Sequence, residues 1–193
     1  QDALGAIFSP ATAEPTTVVI VWTFRLPIAL MALIVGASLG VAGAEMQTVL
    51  DNPLASPYTL GVSAAAGFGA ALAIVFGVGL IPVDRDYLIP INAFAFSLLT
   101  CLLISFVGKE AGRSSESMVL TGIALLFFFQ ALLSMLQFRA TTEALQEIVF
   151  WLFGSLQKTN WTKVSIVATF LVLVLPILMR DAWKLTALRL GDD

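Results

Sequence analysis

The chain has 193 residues, 59% hydrophobic and only 12% charged, with a mean hydropathy of +0.94 and a formal net charge of −3. Soluble domains carry about 25% charged residues, so the composition argues against a soluble enzyme, a disordered region or a nucleic-acid-binding domain, and no basic stripe is present for phosphates. With no histidine and one cysteine, Cys101, the chain lacks the commonest metal ligand and has neither an intrachain disulfide nor a thiolate zinc site.

A membrane protein fits these numbers. Gln1-Asp2 opens the chain without a methionine or a leader-like apolar stretch, and with the abrupt end at Gly191-Asp192-Asp193 this reads as a piece of a longer protein. Residues 1–25 are expected to form an outer loop. Within it Val18 to Phe24 is a short apolar approach segment, set apart by Arg25 and Pro27.

The first uncharged stretch, Leu26 to Ala44, has 19 residues; at about 1.5 Å per residue it nearly crosses a hydrocarbon core of about 30 Å. It contains Gly36-Ala-Ser-Leu-Gly40, followed by Gly43. Small residues let another helix approach closely. Ordinary intramembrane packing accounts for them, and places this span inside a bundle or at a subunit contact. Glu45, six residues before Asp51, reads as a headgroup-level acid.

Asn52-Pro-Leu-Ala-Ser-Pro57 is a turn, because neither proline donates an N–H and each disfavours helix at the preceding residue. No charge occurs from Asn52 to Val83, so the turn is expected partly at membrane depth, against protein or a water-filled cavity. A second span is predicted from Tyr58 to Leu80. A third runs from Tyr87 to Gly108 and a fourth from Ser117 to Phe138, with 22 residues each. Cys101 in the third reads as a buried small hydrophobe. Gly108-Lys109 is not a phosphate-binding loop, since Leu103 stands where its first glycine belongs and Glu110 replaces Ser/Thr. No nucleophile–base pair or paired-carboxylate site is visible, so neither catalytic residues nor a cofactor are expected.

In the fourth span Gln130, Ser134 and Gln137 recur at helical spacing and form one polar stripe. Such groups avoid lipid, so the stripe either lines a solvated path or bonds to other helices. Thr142 to Phe153 places Leu145, Ile148, Val149 and Leu152 on one face and Glu143, Gln146 and Glu147 toward the other, an amphipathic interfacial helix. Trp151 and Trp161 flank Gly154-Ser155-Leu156 at the depth indoles prefer. The fifth span begins at Trp161 and ends near Arg180, with a possible break at Pro176.

The fold class is therefore all-α: a polytopic bundle over residues 26–181, with five spanning helices and one short interfacial helix. An odd number of spans puts the two ends on opposite sides. Each side holds five Lys and Arg, but on the C-terminal side they fall within 32 loop residues rather than 57, which favours a cytoplasmic C-terminus.

Arg25-Leu-Pro27, Gly43-Ala-Glu-Met-Gln47, Asn52-Pro-Leu-Ala-Ser-Pro57 and Leu60-Gly-Val-Ser63 occur in the order and spacing of the FecCD-type permeases. These are membrane subunits of ABC importers for ferric siderophores, haem and vitamin B12. Trp151-Leu-Phe-Gly-Ser-Leu156 followed by Trp161 resembles another segment of that family, and Leu188 to Asp192 resembles the start of its cytoplasmic coupling region, here 182–193. The resemblance implies about ten spans in the full permease, of which this piece holds the second to the sixth, in a bacterial cytoplasmic membrane.

It further implies a second permease subunit, an ATP-binding cassette subunit that hydrolyses the ATP, and an extracytoplasmic substrate-binding protein. By position, Arg25 matches an arginine that would attract acids on the binding protein, although Ile28 replaces the second arginine common in relatives. Gln47, Asn52 and Pro53 match positions near the path and its cytoplasmic end. Leu190, Gly191 and Asp192 match the start of the element that contacts the ATPase. Ferric siderophore is the expected cargo from family frequency, and a chelate needs no metal ligand from the chain. The alternatives are an ion-gradient-driven transporter or channel, for which the spans offer only Glu45 as an ionisable site, and a scaffold.

Overall fold

The structure, a computed structural model, describes residues 2–77, 85–110 and 114–190. Among the described residues every regular element is helical: α1 (Asp2–Phe8), α2 (Pro15–Ile20), a π-turn (Val21–Arg25), α3 (Leu26–Val49), α4 (Val62–Phe76), α5 (Arg85–Glu110), α6 (Ser115–Arg139), α7 (Thr142–Phe153) and α8 (Trp161–Leu190). Among the described residues four stretches are long and apolar enough to cross a membrane, Pro15–Val49, Tyr87–Glu110, Ser115–Arg139 and Trp161–Arg180. Backbone contacts divide the chain into two units, Gln1–Val41 with Ser155–Asp193, and Ala42–Gly154.

In the first unit the helix does not break at Arg25 and Pro27. It runs from Pro15 to Val49 through the π-turn, so Val18 to Phe24 belongs to the same rod as the first span rather than to a separate approach segment. The π-turn lies directly before the proline, and in it the Leu26 N–H reaches one residue further, to the Val21 carbonyl, so the helical run continues through Pro27. Pro176 likewise lies inside a continuous α8.

The second unit is organised around α4, which touches α5, α6 and α7. Its buried residues are almost all small: Ala65, Gly67, Gly69, Ala70, Ala71 and Ala73, with Ile74. They let neighbours approach so closely that a Cβ on Gly69 would lie 2.6 Å from the Asn92 carbonyl oxygen, and one on Gly67 would lie 2.9 Å from Leu152 Cδ2. Phe68, Phe96 and Phe129 fill the junction of α4, α5 and α6, with edge-to-face pairs at 5.2 and 6.3 Å, a geometry the ring quadrupole favours.

At 15 residues, or about 22 Å, α4 is shorter than the expected span from Tyr58 to Leu80. Its start is delayed by Gly61, whose φ of 74° is left-handed, and by a local network that holds residues 54–60 as a turn. Ser56 N–H donates to Thr59 Oγ1 at 2.9 Å and Thr59 N–H donates to Ser56 Oγ at 3.2 Å. Val78, Gly79 and Leu80 lie outside the described residues.

Helix α7 has the expected bounds but a slightly rotated buried face. Ile148 is fully covered by Ala71, Ile74 and Leu136, with Ala144 and Trp151 beside it, whereas Leu145 and Val149 remain exposed. The helix therefore packs on α4 and α6 as well as presenting an apolar edge outward.

Candidate functional site

The expected site residues fall into three places. In the N-terminal third of the long rod, Arg25 closes the π-turn and is exposed, and Pro27 behind it is buried. Two indoles meet there. The Trp22 Nε1–H donates to the Ala6 carbonyl at 3.0 Å, the Trp161 Nε1–H donates to the Trp22 carbonyl at 2.9 Å, and the ring centroids are 6.4 Å apart. Asn160 caps α8 by accepting the Lys163 N–H at 2.9 Å, satisfying a donor that the helix leaves free.

Further along the rod Gly36 and Gly40 are exposed and Gly43 is half-buried, and a Cβ on any of them would meet nothing within 4 Å. Their small side chains serve no close contact among the described residues. Ser38 and Thr48 donate to the carbonyls of Ile34 and Ala44, so these hydroxyls need no partner helix.

The second place is the loop after α3. Gln47 and Pro53 are exposed and Asn52 is half-buried. The Asn52 N–H donates to the Gln47 carbonyl at 3.1 Å, and Asn52 Oδ1 accepts the Leu54 N–H at 2.9 Å. Asp51 adopts φ 45°, a left-handed conformation that Asp tolerates better than most residues. Asp51 and Asn52 line a cleft of about 750 Å³ whose opposite wall is Ser114, Ser115, Glu116 and Val119. Ser114 caps α6 by accepting the Ser117 N–H and also donates to Glu116 Oε2 at 3.1 Å. Glu45 is half-buried one turn before the loop. The loop is anchored by Leu60, which lies over Gly122 of α6, and by the cluster of Leu50, Ala55, Leu60 and Ile104.

The third place is α6. Gly122, Phe129 and Leu136 bury one face, while Gln130 and Ser134 are exposed and Gln137 is half-buried. At about 100° per residue the polar stripe lies about a quarter-turn from the packed face, so the second unit leaves it uncovered. The stripe and the Asp51–Asn52 cleft belong to the same unit. At the opposite end of α6 a smaller cleft of about 530 Å³ is lined by Arg139, Thr141, Glu143 and Glu147. The Glu143 carboxyl is held below its usual range by a backbone hydrogen bond and by Thr141.

Leu190 is the last described residue of α8, and the Gly191 and Asp192 expected to continue the coupling region lie outside the described residues. No group of three or more His, Cys, Asp or Glu suited to a metal occurs among the described residues. Composition did not single out Asn92 and Thr100, both buried on α5, the latter donating to the Phe96 carbonyl at 2.9 Å. Their spacing with Phe96, at i, i+4 and i+8, is the signal that marks this face.

Residues 1–193 match the model of the FecCD transport family. The chain is similar to the vitamin B12 import system permease protein BtuC of Pectobacterium atrosepticum, 34% identical over 187 residues, covering 96% of this chain and 55% of that protein. It is 35% identical over 190 residues to the molybdate import system permease protein MolB of Haemophilus influenzae, with 96% and 55% covered. It is 34% identical over 176 residues to the Fe(3+)-citrate import system permease protein YfmE of Bacillus subtilis, with 90% and 51% covered. The chain thus spans about half the length of the curated relatives it matches. A solved structure of an inward-facing metal-chelate type ABC transporter matches with a TM-score of 0.80 and 32% identity, over 98% of this chain and 61% of that one.

Proposed function

Because the chain belongs to the FecCD transport family, we propose that it is part of the membrane-spanning permease subunit of an ATP-driven importer, providing one wall of a translocation path that opens alternately to each side. The observation that carries this is the family match over residues 1–193, on a chain whose helices are long and apolar enough for membrane spans. ATP hydrolysis is assigned to a separate cassette subunit, cargo delivery to an extracytoplasmic binding protein, and enclosure of the path to a second permease unit.

Within this function Arg25, exposed just before Leu26 where the first uncharged stretch begins, is the docking cation for acids on the binding protein. Gln130, Ser134 and Gln137 offer amide and hydroxyl groups to a hydrated cargo, and Gln47, Asn52 and Pro53 stand at the cytoplasmic end of the path. Leu190, Gly191 and Asp192 begin the contact with the ATPase. Relatives of similar identity carry names with three different cargoes, vitamin B12, molybdate and ferric citrate. Ferric siderophore is the cargo proposed here, an organic chelate that needs no imidazole or thiolate from a histidine-free chain.

The test is uptake of radiolabelled ferric siderophore in a strain lacking the full-length gene. Loss of uptake in the deletion, rescue by the gene, survival under a proton uncoupler and arrest on ATP depletion are expected. Uptake that stops with the uncoupler while ATP is maintained assigns the chain to a gradient-driven transporter instead.

A further inference from the structure

A proline inside a helix leaves one carbonyl without its backbone donor, and which carbonyl that is depends on the hydrogen-bond spacing. With α spacing the Leu26 N–H would serve the Trp22 carbonyl, and the carbonyl facing the Pro27 ring would be that of Thr23. In the observed π-turn the Leu26 N–H donates to the Val21 carbonyl instead. The carbonyl whose i+5 partner is Pro27 is then Trp22, and that oxygen receives the Trp161 indole N–H at 2.9 Å. Trp161 thus satisfies a carbonyl that the π spacing strips of its donor, and does nothing for the α alternative.

We propose that Trp161 is a positioning residue for Arg25: its indole N–H replaces the backbone donor removed by Pro27, selects the π-turn, and so sets the direction in which Arg25 is presented. This rests on the docking role proposed for Arg25. A π-turn holds one residue more than an α-turn, so relaxing it would rotate the residues that precede the turn by up to about 100° relative to α3, and Arg25, at its C-terminal end, by about a fifth of that. Arg25 is the last residue of that turn and is exposed. The donor is itself held in place. Trp161 is the first residue of α8, behind the Asn160 cap, and its ring lies against Trp22, whose own indole is committed to Ala6. Trp161 is 41% exposed, so W161F leaves no buried cavity and shifts the balance between π and α spacing without unfolding the helix.

The experiment uses the full transporter in nanodiscs and its own substrate-binding protein, with Kd measured at low and high salt for wild type, W161F, R25Q and the double variant. Phenylalanine keeps a ring and removes only the donor. One net hydrogen bond corresponds to roughly a twofold to tenfold weakening of docking in W161F. That loss should vanish in the R25Q background, because Trp161 acts through Arg25. In wild type the Trp161 indole proton, followed by NMR with 15N-indole tryptophan, should exchange slowly with solvent. An unchanged Kd in W161F, or a loss that persists in full beside R25Q, overturns the positioning role. Fast exchange of that proton while R25Q still weakens docking also overturns it and leaves Arg25 as the docking cation. An unchanged Kd in R25Q overturns the docking role itself, and the positioning role with it.

Discussion

Replacing Gly61 by alanine in the full-length permease tests how the loop between α3 and α4 is held. Two costs apply. Gly61 has φ 74°, where an L-residue pays about 1–2 kcal/mol. A Cβ there would also lie 2.6 Å from Leu126 N, 2.8 Å from Leu126 Cα and 3.0 Å from the Gly122 oxygen. All three are backbone atoms of α6 and cannot rotate away, so an overpacking cost of about 1–3 kcal/mol is added. The expected total is about 2–5 kcal/mol. Gly77 is the control: its φ is 63° and a Cβ would meet nothing within 4 Å among the described residues, so G77A should lose only the backbone part, about 1–2 kcal/mol. The assay is unfolding in mixed detergent micelles, followed by tryptophan fluorescence. A G61A variant no less stable than G77A would refute the close approach of this loop to α6.

Four further outcomes are expected. G69A should destabilise the α4–α5 contact by about 1–3 kcal/mol in the same micelle titration, because its Cβ would lie 2.6 Å from the Asn92 carbonyl oxygen. T141A removes the side chain that accepts the Ala144 N–H, so amide exchange in the first turn of α7 should quicken by up to about tenfold. The Glu143 carboxyl is depressed in the folded protein, so the support its charge gives that turn is full above the ordinary carboxylate range. It is lost as pH falls through the depressed value, and exchange at residues 142–146, corrected for the intrinsic pH dependence, should rise only on acidification. Finally, in a cysteine-free parent, S134C should react with a membrane-impermeant maleimide if the stripe lines a water-filled path. F128C, about 160° away from Gln130 on α6, should not react, and equal reactivity of the two would remove the stripe from the path.

Some local arrangements at the candidate sites were legible because their chemistry is local. Asn52 to Pro57 announces a turn through two prolines, and the turn forms with Asn52 bonding Leu54 as its side chain predisposes it to do. Gln130, Ser134 and Gln137 share a face by helical spacing alone. The role of Trp161 was not legible beyond interface anchoring, since its partner is a carbonyl 139 residues away in the chain. The packed face of α7 differs from its pattern: Ala144 and Trp151 join Ile148 against the cluster of Ala71, Ile74 and Leu136, neighbours that no pattern within 142–153 could reveal.

By itself the sequence determined that this protein is all-helical and built for a membrane. Too few charges are available to face water, and apolar runs separated by charged or proline-bearing turns can satisfy their backbone in lipid only as helices. Only the tertiary structure decided that Pro27 does not end a helix, that α4 is short, and which small residues are in contact. Gly61, Gly67, Gly69 and Gly122 touch neighbouring atoms, whereas Gly36, Gly40 and Gly43 meet none among the described residues. A glycine looks the same in sequence whether or not a neighbour occupies the space its missing Cβ leaves. What fills that space is fixed by where the other helices lie.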